Sequence, residues 1–321
     1  MEKLSNKKYL ITGGAGFIGS NLVEYLLNEN ALKVRVLDNL SNGYYENIKE
    51  FEGHPNFEFI EGDITHLETC KKAVNDMDVV LHQAALGSVP RSINDPIRSN
   101  NANINGFLNM MVAIKDSQKK PRMVYAASSS TYGDHPDLPK EEDKIGRPLS
   151  PYAVTKYVNE LYADVFAKTY DMELIGLRYF NVFGPKQSPS GAYAAVIPIF
   201  MKALKDEKSP TINGDGEQTR DFTFVDNAVQ ANVKASIAPS NAANEVYNVA
   251  FGERISLNEL WEELQAISGK KIEAKYGPPR AGDVRDSLAD ISKAKRLLDY
   301  QPEYSVREGL KKAWDYFIEH Q

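Results

Sequence analysis

The chain has 321 residues, 42% hydrophobic and 26% charged, with a formal net charge of −6 and one cysteine. That is long enough to bury a sizeable core, and with no basic block longer than Lys119-Lys120 it argues against nucleic acid and anionic membrane as partners. A lone Cys70 excludes an intramolecular disulfide, no run approaches the ~18 apolar residues of a membrane span, and no signal-peptide core opens the chain, so a cytoplasmic protein is expected.

The first ~180 residues alternate short apolar runs with helical patterns, the signature of a parallel sheet covered on both faces. Strands are expected at 9–11, 34–37, 57–60, 79–81, 123–125 and 174–177, and helices at about 16–30, 66–75, 93–116 and 151–170. The crossover between residues 38 and 57 carries Asn42-Gly43 and Gly53 and reads as short or irregular. Ser150 is a helix cap for 151–170, and Pro151 suits the first helical position, where its missing N–H costs nothing. After residue 184 the alternation breaks at Gly184-Pro185 and Ser188-Pro189-Ser190-Gly191. Helices at about 194–206, 226–236, 257–267 and 305–318 follow. The expected division is a sheet domain over 1–185, with part of 220–250 returning to it, and a smaller α/β substrate-binding lobe over 186–321. The five histidines are scattered, with no ligand spacing, so no metal site is expected.

The first strand runs into Gly13-Gly14-Ala15-Gly16-Phe17-Ile18-Gly19 and then a helix. Gly13, Gly16 and Gly19 make a G-x-x-G-x-x-G turn that lets backbone N–H groups approach a pyrophosphate at a helix N-terminus. Asp38 closes the next strand about 20 residues on, where a carboxylate accepts from a ribose 2′-OH and repels a 2′-phosphate, so NAD is favoured over NADP. The fold is thus expected to be a Rossmann-type doubly wound parallel sheet. Asp63, in Gly62-Asp63-Ile64 after the third strand, is placed to meet adenine, though an ordinary turn aspartate has the same pattern.

Tyr152 and Lys156 lie one helical turn apart and share a face. A free phenol, with a pKa of about 10, is only about 0.1% ionised at pH 7. Lowering it to about 7 takes roughly 4 kcal/mol, which the Lys156 cation, a positive nicotinamide and partial burial are expected to supply. Tyr152 then serves as general base for a sugar or alcohol hydroxyl, and Lys156 can hold the nicotinamide ribose. Ser128 and Ser129, in the serine cluster after the fifth strand, sit at the ligand-binding edge of such sheets, where a hydroxyl can polarise the reacting oxygen.

These motifs resemble the extended short-chain dehydrogenase/reductase family, and within it the nucleotide-sugar 4-epimerases of the UDP-glucose/UDP-N-acetylglucosamine type. The likeness covers nearly the whole chain. It rests on TGGAGFIGS at 12–20, DNLSNG at 38–43, GDI at 62–64, HQAA at 82–85, SSSTYG at 128–133, YAVTK at 152–156, RYFNVFGP at 178–185, GDGEQTRDF at 214–222 and RAGDVRDSLADISKA at 280–294. The resemblance implies that Phe17, Ile18, Asp38, Asn39, Asp63, Ile64, Gln83, Tyr152, Lys156 and Val182 line an NAD site. It implies further that Ser128 is the catalytic Ser/Thr, and that Asn181, Arg220, Arg280 and Asp283 hold a uridine diphosphate. The implied reaction has Tyr152 take the sugar 4-OH proton while hydride passes from C4 to tightly bound NAD. The 4-keto sugar then turns and takes hydride back on its other face. A homodimer through the helices at 93–116 and 151–170 is implied by resemblance alone.

Dehydratases and decarboxylases of the family carry an acidic residue in the segment where this chain has Ser128 to Ser130, so epimerisation is favoured over elimination. Ser287 matches a position where glucose-restricted epimerases place a bulky tyrosine, and a serine leaves room for a 2-acetamido group. Gln187 is a candidate hydrogen-bond partner for that group, and Ser88 for the sugar. UDP-N-acetylglucosamine and UDP-N-acetylgalactosamine are therefore the expected pair. Plain UDP-glucose and a UDP-uronic acid, whose carboxylate Arg91 could meet, are the alternatives. A net NAD-dependent oxidoreductase and a non-catalytic NAD-binding protein are the remaining readings.

Overall fold

The computed structural model describes residues 2–189, 194–279 and 284–320. Its centre is a parallel sheet of β1 (Lys8–Thr12), β2 (Lys33–Asp38), β3 (Phe57–Glu61), β4 (Val79–His82), β5 (Arg122–Ser128), β6 (Leu174–Tyr179) and β7 (Glu245–Val249). The spatial order is β7-β6-β5-β4-β1-β2-β3. Tyr9, Leu10 and Ile11 of β1 and Val80 and Leu81 of β4 are wholly buried, as continuous apolar runs require when both sheet faces are covered. From β1 the chain winds outward through β2 and β3, then returns to β4 and winds the other way. The crevice between β1 and β4, at the carboxyl ends of the strands, is where such sheets receive ligands. Thr12, Asp38, His82, Ser128 and Tyr179 all end strands on that edge.

Apolar clusters fill both faces of the sheet. A separate cluster around Phe183, Phe200, Phe222, Trp261 and Trp314 holds much of the later chain together. The helix Pro151–Tyr170 is started by Ser150, whose side chain accepts from the Ala153 N–H at 3.1 Å. The same helix is pinned to β6 by a buried ion pair: Arg178 donates from Nε and Nη2 to the two Glu160 carboxylate oxygens at 2.9 and 2.7 Å. Arg178 also donates to the Glu142 carbonyl at 2.8 Å. Burial works against the guanidinium charge, and the hydrogen bonds and charge of Glu160 outweigh it and hold the Arg178 pKa above its usual value.

One sequence expectation needs revision. The helix expected over 93–116 is in fact three helices, Val89–Asn94, Pro96–Asn100 and Gly106–Asp116, with a π-turn at Asn101–Asn105. Pro96 has no N–H to continue the first helix, so the chain breaks at Asp95, whose side chain caps the next by accepting from the Arg98 N–H at 3.0 Å. All six strands expected before residue 180 are present, and β7, within the 220–250 stretch expected to return to the sheet domain, adds a seventh, paired in parallel with β6. The 38–57 crossover contains only two short 3-10 turns, Tyr45–Asn47 and Lys49–Phe51. No helix among the described residues is long and apolar enough to cross a membrane.

Candidate active site

The crevice opens into a cleft of about 720 Å³. Gly13, Gly16, Phe17, Ile18 and Gly19 form one wall. Gly13 has φ +70°, and a Cβ there would stand 2.7 Å from the Ala84 nitrogen. A Cβ on Gly19 would meet the Gly13 carbonyl at 2.1 Å, so the turn closes only without side chains. Asp38, Asn39, Asp63, Ile64, Gln83 and Val182 line the same space, as do Ser88, Ser128, Ser129, Tyr152, Lys156 and Asn181.

Asp38 is buried and accepts from the Ala15 N–H at 3.0 Å and the Leu40 N–H at 2.8 Å. Burial raises its pKa against the pull of those bonds. Burial also works on Asp63, but hydrogen bonds from Thr65 and Asn39 outweigh it and hold the carboxyl below its usual range. Gln83 closes a triangle of side chains. It donates to Asn232 at 3.0 Å, Asn232 donates to the Tyr179 hydroxyl at 2.7 Å, and Tyr179 donates back to Gln83 at 3.1 Å.

At the inner end, Ser128 closes β5 and its hydroxyl accepts from the Ser130 N–H and hydroxyl, at 3.2 and 2.9 Å. Lys156 donates to the Ala126 carbonyl at 2.8 Å and lies 6.0 Å from the centre of the Tyr152 ring. Burial lowers the lysine pKa to about 8, with Glu160 opposing, so the ammonium is mainly charged at pH 7. For Tyr152 the expected fall is not what the chain's own groups produce. Burial raises its pKa, and only the hydrogen bond with Ser128 counters. A buried phenolate pays the loss of hydration, and the Ser128 hydrogen bond does not offset it.

A second cavity of about 230 Å³ adjoins the first, sharing Asn181 and Val182. Gln187 and Arg220 line it, with Phe200, Phe222 and Leu257 as apolar walls. Asn181 takes φ +38° and donates to the Asp221 carbonyl at 2.9 Å, while Arg220 donates to the Thr219 and Arg285 carbonyls at 2.9 and 2.8 Å. Gln187 donates to the Val182 carbonyl at 3.2 Å. Ser287 lines neither cavity; its hydroxyl faces the Asp221 N–H at 3.4 Å, so it is not brought to the others. Arg280 and Asp283 lie outside the described residues.

Several contributors are missed by sequence reasoning. Arg98, Asn101 and Ala102 reach the cleft from the segment split at Pro96, and only the break turns them there. Asn103 is buried beneath them. It accepts from the Leu86 N–H at 2.8 Å and donates to the Thr155 hydroxyl at 3.1 Å, coupling the loop after β4 to the Tyr152–Lys156 helix. Nothing in a run of asparagines signals that role. Among the described residues no cluster of His, Cys, Asp and Glu could hold a metal ion.

The family model described as GDP-mannose 4,6 dehydratase matches residues 10–313. A putative UDP-glucose 4-epimerase of Methanocaldococcus jannaschii is 38% identical over 305 residues, covering 94% of this chain and 96% of that protein. The UDP-N-acetylglucosamine 4-epimerase of Methanobrevibacter ruminantium M1, solved with UDP-N-acetylmuramic acid, superposes with a TM-score of 0.93 at 38% identity, covering 98% and 99% of the two chains. The UDP-glucuronic acid 4-epimerase of Bacillus cereus, solved with UDP-glucuronic acid and NAD, gives 0.89 at 34% identity, covering 97% and 99%. The chain belongs to this family, within the extended short-chain dehydrogenase/reductases.

The buried lysine generates a stability prediction. Its folded pKa lies below its unfolded one, so the cost of burying the charge is full below about pH 8 and vanishes as pH rises toward the unfolded value of about 10.5. Lys156→Met is therefore expected to match or exceed the wild type in stability at pH 7, with that margin shrinking by pH 10. Urea unfolding at the two pH values checks this. A variant less stable at pH 7 and gaining on the wild type at pH 10 would contradict it.

Proposed function

We propose that this chain is a UDP-sugar 4-epimerase working through retained NAD, with UDP-N-acetylglucosamine and UDP-N-acetylgalactosamine as its preferred pair. The observation that carries this reading is the meeting of Ser128, Tyr152 and Lys156 in a nucleotide-sized cleft that continues past Asn181 and Val182 into a second cavity bordered by Arg220. The residues fit NAD. The Gly13–Gly19 turn leaves room for a pyrophosphate at a helix N-terminus, Asp38 suits a ribose diol, and Lys156 suits the second ribose.

Held by the Gly13–Gly19 turn, Asp38 and Lys156, NAD would supply a reversible hydride acceptor for C4 and a positive charge near the phenol. Tyr152 accepts the proton of the 4-hydroxyl and later returns it. The Ser128 hydroxyl, which lowers the Tyr152 pKa, polarises the same oxygen. Lys156, charged at neutral pH, favours the phenolate. Asn181, Arg220, Arg280 and Asp283 hold the uridine diphosphate while the sugar turns, and the two guanidinium groups suit its phosphates by charge and fork geometry.

Epimerisation rather than elimination is supported by the position of the acids. Among the described residues, the carboxylates lining the cleft are Asp38 and Asp63, at the ends of β2 and the β3 loop. Neither lies on β5, where an elimination would need a second proton-transfer group. Gln187, which lines the second cavity, supports the acetylated sugar. The Ser88 and Ser129 side chains are the proposed sugar contacts on the opposite side.

The test is incubation of purified protein with UDP-N-acetylglucosamine without added NAD. UDP-N-acetylgalactosamine should appear, and Tyr152→Phe should cut turnover at least ~100-fold while still carrying NAD. Turnover of UDP-glucose or UDP-glucuronic acid alone would move the substrate; inertness toward all three would sink the epimerase reading.

We also infer a homodimer. Ile93 and Ile97 stand 55% and 82% exposed beside the helix bearing Leu161 and Val165, 50% and 54% exposed. Sedimentation at micromolar concentration should give a dimer, and Leu161→Asp with Val165→Asp a folded monomer. A monomeric wild type would contradict it.

A further inference from the structure

A side-chain bridge that the proposed chemistry does not use joins two segments bordering the cleft. Arg91 donates from Nη2 to the Asn42 side-chain oxygen at 2.9 Å. One end is Asn42, and the other is the helix that follows the cleft-lining Ser88. Asn42 lines the cleft, and its loop is fastened to the glycine turn: the Tyr44 N–H and the Asn47 side chain both donate to the Ala15 carbonyl, at 3.0 and 2.9 Å. A Cβ on the neighbouring Gly43 would stand 2.8 Å from the Ala15 backbone.

The other end is tied to the Tyr152 helix. Arg91 sits in the helix Val89–Asn94, started by Ser88, whose hydroxyl accepts from the Arg91 N–H at 3.2 Å. The next residue, Ser92, is fully buried; its hydroxyl donates to the Val89 carbonyl at 2.8 Å and accepts from the Tyr152 N–H at 3.0 Å. The bridge therefore spans from the glycine turn to the start of the Tyr152 helix.

Charge gives it a purpose. The turn Gly13–Gly19 contains no cation. Among the described residues lining the cleft, Lys156 and Arg98 are balanced by Asp38 and Asp63. A dinucleotide brings a doubly negative pyrophosphate to the glycine turn, and the bridge carries a guanidinium to the loop that packs on that turn.

We propose that the Arg91–Asn42 bridge is a latch over the cofactor cleft, holding the dinucleotide's pyrophosphate by its guanidinium and setting how long NAD stays bound. The inference rests on the reading of the cleft as an NAD site. A reaction that regenerates its cofactor at every turnover gains nothing from releasing it. An exposed hydrogen bond between two side chains opens cheaply, so the latch delays exchange without forbidding it.

The test compares wild type, Arg91→Ala, Arg91→Lys and Asn42→Ala. For each, the NAD content of the purified protein and its release into excess labelled NAD are measured. Arg91→Ala should release NAD at least ~10-fold faster, equivalent to about 1.4 kcal/mol. Its activity should fall on dilution and recover with added NAD, appearing as a raised KM for NAD rather than a lowered kcat. Arg91→Lys, which keeps the charge, should recover part of the retention, and Asn42→Ala, which frees the guanidinium, should lose less than Arg91→Ala. Arg91→Ala releasing NAD at the wild-type rate would overturn the latch alone, provided the wild type retains NAD and epimerises. A wild type without NAD that neither binds nor needs it would overturn the latch and the NAD reading together. Should Arg91→Ala fail to fold, Asn42→Ala on its exposed loop decides, with unchanged release counting against the latch.

Discussion

A parallel sheet that reverses its winding direction must leave a crevice at the reversal, because the connections after β1 and β4 depart to opposite faces. The site depends on that constraint. It places the carboxyl ends of β1, β2, β4, β5 and β6 around one opening, so residues as far apart in sequence as Gly13 and Tyr179 line the same cleft. The glycine turn is the local price of the arrangement: a side chain on Gly19 would collide with the Gly13 carbonyl, and the wall would have to move away from the ligand. The loops after β4 and β5 then hang from the sheet edge, with Asn103 joining the first of them to the helix that carries Tyr152 and Lys156.

Burial sets the chemistry available there. It pushes the Tyr152 phenol toward its protonated form and the Lys156 ammonium toward its neutral one. Both directions oppose a resting ion pair, so the phenol keeps its proton until positive charge is added nearby. Under the proposed mechanism that bias is useful: the cofactor's own charge would join the Ser128 hydrogen bond in favouring the phenolate. The same burial makes the Arg178–Glu160 pair a fixed point, since removing either partner would strand a charge in the core. That pair anchors the Tyr152–Lys156 helix to β6 on the side away from the ligand.

Much of this is legible in the sequence because its signals are local. The glycine spacing, Asp38 at a strand end, the Ser150-Pro151 start and the Tyr-x-x-x-Lys pair each declare their conformation within a few residues. What is not legible depends on contacts distant in sequence. The π-turn at Asn101–Asn105 answers to packing around Asn103, so Arg98 and Ala102 could not be assigned to the cleft. β7 pairs with β6 across a long stretch of intervening chain, and Glu245-Val246-Tyr247-Asn248-Val249 is a mixed run in which nothing local declares that partner. The rise in the Tyr152 pKa reflects burial and the chain's own groups alone; spacing shows that a lysine is near, but not that it donates to the Ala126 carbonyl. Ser287 was drawn to the sugar by resemblance, whereas its hydroxyl is turned to the Asp221 backbone.

The central claim is that hydride leaves C4 and returns to the same carbon without leaving the protein. Its most direct test uses UDP-N-acetylglucosamine carrying deuterium at C4, turned over to equilibrium in the presence of excess unlabelled NAD. The account predicts that the UDP-N-acetylgalactosamine formed keeps its deuterium at C4 and that none appears in the free cofactor pool. Deuterium lost to solvent or accumulating in free cofactor would contradict it.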